Sequence, residues 1–162
     1  MPKLNNIEFF NRFCLTLFDE LYSKFPAKVS VNVSEIANKA IPEGADFDDA
    51  FDSYATAREV ITFLQEEGFI TYYQFPLKGE VFHQVRLTMK SLAILGCPSS
   101  LLEKEASIID SVKVAVSDGG KDATSKLVSS LITDIFGMAS GVPPIRTILA
   151  TIQAATGGSQ EG

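Results

Sequence analysis

Apolar residues recur at three- and four-residue steps through Ile7, Phe10, Phe13, Cys14, Leu17, Phe18, Leu21, Tyr22 and Phe25, the spacing that lines one face of an α-helix. Asn5 and Glu8 stand where a reciprocal cap satisfies the first free backbone N–H groups, and Pro26 stops the helix. A short extended run, Val29 to Val33, leads to a second helix that Asn32 and Glu35 cap, with Ile36, Ala37 and Ala40 inward and Pro42 at its end. An acidic loop through Phe51 follows. Asp52 or Ser53 then caps a third helix whose inward stripe is Ala57, Val60, Ile61 and Leu64, closed by a left-handed Gly68.

Phe69 to Tyr73 and Val81 to Leu87 are β-rich runs flanking Gln74-Phe75-Pro76-Leu77-Lys78-Gly79, the pattern of a hairpin with a turn-forming loop. Thr88 caps a short helix through Leu95, which Gly96 closes. Beyond it, Ser100 and Glu103 form a capping box for a helix with Leu101, Leu102, Ile108, Ile109, Val112 and Val116 on its apolar side, broken at Asp118-Gly119-Gly120. Leu127/Val128, Leu131/Ile132 and Ile135/Phe136 pair at four-residue steps up to Gly137. Ile145, Ile148, Leu149 and Ile152 make a last amphipathic set after Pro143-Pro144. The pattern divides the chain into an N-terminal unit over residues 5–96, a helical extension over 97–155 and a loose tail over 156–162.

With 162 residues, 46% of them hydrophobic, the chain can bury a real core and lies far from the composition of disorder. Two cysteines, Cys14 and Cys97, in unrelated patterns fit unpaired thiols in a reducing compartment. The N-terminal residues lead straight into a periodic helix without an apolar signal core, so a cytoplasmic location is expected. Charge changes the picture more. The net charge is −6, but from Glu43 to Glu67 eight carboxylates face the single base Arg58, leaving that stretch at −7 and the remainder near +1.

Several patterns suggest chemistry and then fall short of it. His83 is the only histidine and alternates with Val81 and Val85, as a partly buried strand residue would; no companion supplies a triad or zinc site. Neither cysteine has a histidine or basic cluster nearby to lower its pKa. Gly119-Gly120-Lys121 lacks the hydroxyl residue, the earlier glycine and the preceding strand of a phosphate-binding loop. Asp46-Phe47-Asp48-Asp49-Ala50-Phe51-Asp52 gathers carboxylates as a calcium loop does, yet Ala50 and Phe51 stand where another oxygen donor and a glycine are needed. Residues 127–152 are apolar, but Asp134, Arg146 and two prolines interrupt them, so no membrane span is expected. No constellation of nucleophile, base and stabiliser can be assembled, and no enzyme activity, metal or cofactor is expected.

Phe63-Leu64-Gln65-Glu66-Glu67-Gly68-Phe69-Ile70 resembles the exit of a recognition helix, and Leu87-Thr88-Met89-Lys90-Ser91-Leu92 the strand-to-last-helix junction, of the winged helix-turn-helix family. The resemblance covers residues 5–96. It implies an α+β, mostly helical fold: an N-terminal winged helix (helix, short strand, two helices, β-hairpin wing, helix) carrying a C-terminal helical extension. One departure is the turn between the second and third helices, about 3–4 residues in helix-turn-helix motifs and here the whole stretch from Ile41 to Phe51.

For function, the resemblance implies a DNA-binding regulator using Arg58, Lys78, Arg86 and Lys90; separately, the apolar C-terminal helices are expected to pair two copies through Leu131, Ile135, Ile148 and Leu149. Affinity for a duplex comes mainly from cations on phosphates, and the third helix with its loop is instead strongly anionic. The expectation favoured here is therefore a non-enzymatic module that presents Asp46, Phe47, Asp48, Asp49, Phe51 and Tyr54 to a basic protein partner. The dimeric DNA-binding regulator is its alternative.

Overall fold

The computed structural model describes residues 3–47, 52–73, 79–97, 107–117 and 125–141. In chain order these form β1 (Lys3–Leu4), α1 (Asn6–Lys24), β2 (Val29–Asn32), α2 (Val33–Ala40), β3 (Asp46–Phe47), α3 (Ser53–Glu66), β4 (Ile70–Thr71), β5 (Val81–Leu87), α4 (Met89–Leu95), α5 (Ile108–Ser117) and α6 (Ser125–Ala139). The fold class is α+β and mostly helical, with a small three-stranded antiparallel sheet in the order β2–β5–β4. Among the described residues no helix is long and apolar enough to cross a membrane.

The helix starts follow from short polar side chains that accept the otherwise unpaired N–H groups of a first turn. Asn5 Oδ1 accepts from the Glu8 amide at 2.9 Å, Asn32 Oδ1 from Ser34 and Glu35, Asp52 Oδ1 from Tyr54 and Ala55 at 3.0 Å each, and Thr88 Oγ1 from Ser91. α3 closes at Gly68, whose φ of +79° is the conformation a Cβ disfavours. At the start of α5, Asp110 Oδ2 accepts from both the amide and the hydroxyl of Ser107. The capping box expected at Ser100 and Glu103 lies outside the described residues. α6 continues through Gly137, where an end was expected, to Ala139.

β5 contains a bulge. Val29 faces Val85 and Val31 faces Phe82, so Ser30 alone lies opposite His83 and Gln84. Gln84 takes up the extra residue with φ of +56°, outside the usual range for its residue type. The bulge resets the alternation: Phe82, Val85 and Leu87 point into the core while His83 and Gln84 both face solvent. His83 is therefore exposed rather than partly buried between Val81 and Val85, because the two-residue period holds only across an unbroken ladder.

α1 is the axis of the molecule. Every residue from Asn11 to Phe18 is buried, which a helix with one apolar face cannot be unless packed from several sides. α2 and α3 cover the expected stripe of Phe13, Cys14, Leu17, Phe18 and Leu21, whereas Ile7, expected inward, lies beyond the layer and is exposed. α5 and α6 cover the opposite, largely polar side formed by Glu8, Arg12, Thr16 and Asp19. That polarity is satisfied in place. Arg12 donates to Glu8, the Thr16 hydroxyl donates to the Arg12 carbonyl at 2.9 Å, Lys113 of α5 pairs with Asp19 at 3.0 Å, and Ser125 of α6 donates to Glu8. The hydrophobic core consequently runs without a break from Phe9 to Ile135, across the division expected near Gly96.

Candidate functional site

The acidic stretch is anchored at both ends. β3 pairs in parallel with β1, Lys3 opposite Asp46 and Leu4 opposite Phe47, and Asp52 ends the stretch as the α3 cap. Asp46 is exposed. Asp48, Asp49 and Phe51 lie outside the described residues, as does Lys78. Tyr54 is half-buried in the first turn of α3.

α3 buries Ala57, Val60, Ile61 and Leu64, the four residues its period predicts. Its outward stripe is Ala55, Glu59, Phe63 and Glu66 at four-, four- and three-residue steps, with Glu67 following at the C-cap. Phe63 stands 39% exposed between two carboxylates. Its ring meets Phe10 of α1 edge-on at 5.5 Å and Phe136 of α6 at 6.3 Å, and Phe136 in turn packs on Phe69 at 4.8 Å. Ile7, one turn before Phe10, is 62% exposed. The sequence reading missed this strip, although Phe63 lies off the inward stripe of its helix and so carried a signal.

Two of the four bases proposed for nucleic acid are engaged elsewhere. Arg58 donates to the carbonyl of Gly79 at 2.5 Å, tying α3 to the start of β5. Lys90 donates to the carbonyl of Glu67 at 2.8 Å and lies over the Phe69 ring at 4.8 Å, so its charge completes the C-terminus of α3. Arg86, on β5 opposite Thr71, is half-buried.

Leu131 and Ile135, proposed as a pairing face, are buried within this chain's own core, 0% and 1% exposed. Their packing partners are the helices of the same chain, because the side of α1 left polar by its period is the side α6 covers. Ile148 and Leu149 lie outside the described residues.

The remaining titratable groups have evident local roles. Cys14 is fully buried, and burial pushes its thiol well above the ordinary value. Cys97 is half-buried, with Sγ donating to the Ala93 carbonyl at 3.2 Å. His83 Nδ1 lies 3.1 Å from the Ser30 hydroxyl across the bulge. An open groove between α1, α2 and α5 is rimmed by Asp19, Glu20, Lys39 and Lys113, but these charges pair with one another. The Glu20 carboxyl is held below its usual range, first by the Lys24 hydrogen bond, against partial burial, and with Lys39 3.5 Å away.

Compared with known proteins, the chain matches no family model, no curated protein and no solved structure.

Proposed function

We propose that residues 5–96 form a winged helix and that the chain works as a non-enzymatic interaction module, binding a basic protein surface through α3 and the acidic loop before it. The order helix, strand, helix, helix, hairpin, helix, with β2 beside β5 and β5 beside β4, supports the first part. One observation carries the second: Arg58 and Lys90 donate to backbone carbonyls of this chain, while the outward stripe of α3 presents Glu59 and Glu66 around Phe63.

Magnitudes support the same choice. A duplex gains affinity roughly in proportion to the number of phosphates neutralised, and each carboxylate brought to about 4 Å from a phosphate opposes this by about 1 kcal/mol even in water. Glu59, Glu66 and Glu67 are exposed on the helix that would have to enter the groove. The same carboxylates attract lysine and arginine on a protein partner, and the exposed ring between them adds an apolar anchor.

Two measurements test the reading. Titration of mixed-sequence duplex DNA at low salt is expected to give no saturable binding. Partner capture from cell extract is expected to weaken when Asp46, Asp48 and Asp49 become asparagine, and again when Glu59 and Glu66 become glutamine. Unchanged recovery in both variants, or duplex binding with a steep salt dependence, overturns the proposal.

A further inference from the structure

We infer that the partner segment docking on α3 is a cationic amphipathic helix, seated on a strip made by Glu59, Phe63 and Glu66 of α3 with Ile7 and Phe10 of α1. This rests on the reading of α3 as a protein-binding surface and adds the chemistry of what binds there.

The first support is an apolar surface that is continuous rather than scattered. Ile7 and Phe63 are two of the large hydrophobic side chains left exposed among the described residues. Phe10 links them, one helical turn from Ile7 and edge-on to the Phe63 ring. The Phe136 ring lies 6.3 Å from the Phe63 ring, tilted against it, so an incoming side chain meets an aromatic group already held in place, the arrangement that concentrates binding energy in protein interfaces.

The second support is charge placed in register with that surface. Glu59 lies one turn before Phe63 and Glu66 nearly one turn after it, about 6 Å and about 4.5 Å along the helix axis. Neither takes part in a salt bridge among the described residues. The complement is an apolar residue with lysine or arginine about one turn to either side, on one face of one element.

A helix fits that description better than an extended segment. An extended chain laid on an apolar strip leaves its backbone N–H and C=O groups without partners, and α3 has no strand edge to supply them. A helix satisfies its own backbone and packs its ridges against those of α3. The stripe from Ala55 to Glu66 is about 16 Å long, matching a partner helix of about three turns.

The test uses the full chain and a synthetic, helix-stapled peptide with leucine at its centre and lysines three and four residues to each side. Its controls carry glutamates in place of the lysines, or the same residues in a non-amphipathic order. Binding is followed by fluorescence anisotropy and by amide chemical shifts. The cationic peptide is expected to bind saturably, with shift changes confined to α3 and the first turns of α1. The Glu59→Gln, Glu66→Gln double variant is expected to weaken it about tenfold, and Ile7→Ser several-fold. Ile7 is exposed, so its variant keeps the wild-type melting curve.

Equal binding of either control, shift changes elsewhere, or no effect of Ile7→Ser overturns the inference. So does sedimentation showing that free protein covers the strip with a second copy, released by Ile7→Ser. If the peptide fails while capture from extract still falls on exchanging Glu59 and Glu66, the helical partner is wrong and the protein-binding reading stands. If that exchange and the asparagine exchange of Asp46, Asp48 and Asp49 both leave capture intact, the reading itself fails.

Discussion

Cys14 sits halfway along α1 with no accessible surface, in a place where a thiolate would lose its hydration without gaining a cation, so burial raises its pKa. Such a thiol is a small apolar core residue and reacts only when the core opens. Alkylation of the native protein at mildly alkaline pH is therefore expected to modify Cys97 and spare Cys14 until denaturant is added; mass spectrometry of the labelled peptides checks this. Glu20 shows the opposite shift. Its folded pKa is lowered, chiefly by the Lys24 hydrogen bond, so the stability it contributes is present above the usual carboxylate range and is lost as pH falls through the folded value. Lys24→Gln is expected to move the Glu20 titration, followed by NMR, back toward the usual range. The variant should be less stable than wild type near neutral pH and indistinguishable from it well below the folded pKa. Because the pair is largely exposed, raising the salt concentration should narrow the gap.

α6 is joined to the rest of the chain by a buried apolar stripe and an aromatic contact. Val128, Leu131, Ile132 and Ile135 are buried, and Phe136 packs among Phe10, Phe63 and Phe69. Leu131→Ala is expected to cost about 3 kcal/mol, the usual penalty for emptying a fully buried leucine site. Its urea midpoint should not depend on protein concentration, since the cavity opens inside one chain; a midpoint that climbs with concentration would instead assign Leu131 to a contact between copies. α3 shows how an element can be split between two tasks. Its inward stripe of Ala57, Val60, Ile61 and Leu64 holds it to α1 and α2, leaving Glu59 and Glu66 exposed on the outer face and Phe63 at the edge, in contact with Phe10 and Phe136 but still partly in solvent. The bulge in β5 makes a comparable division, keeping Phe82 and Val85 inward on either side of two solvent-facing residues.

At the scale of the whole molecule, the core passes through α1 from one layer of helices to the other. Truncation after Cys97 removes α5 and α6 and strips the cover from Phe10, Arg12, Leu15 and Thr16. The shortened chain is expected to lose cooperative unfolding and to bind a hydrophobic dye, with far-ultraviolet circular dichroism and dye fluorescence as the measurements. A truncated chain that melts as sharply as the full one would separate the two parts as independent domains. The net charge of −6 is concentrated between Glu43 and Glu67, which gives the molecule a field with a direction.

The caps of α1, α2, α3 and α4, the inward stripes of α2 and α3, the left-handed Gly68 and the anionic character of the α3 region were legible in the amino-acid order. Each depends on residues within a turn or two of one another, where periodicity and hydrogen-bond reach are set by backbone geometry alone. Local order could not reveal that Glu8, Arg12, Thr16 and Asp19, a polar stripe by every rule of pattern, would be covered. That outcome depends on Lys113 and Ser125, about a hundred residues away, arriving to complete their hydrogen bonds. The same holds for Arg58 and Lys90, whose charges look available in sequence until Gly79 and Glu67 present their carbonyls, and for Phe63, whose role depends on Phe10 and Phe136 arriving from two other helices. Periodicity determines which face of an element seeks cover; only the assembled chain decides which polar groups find partners and which apolar ones remain in solvent.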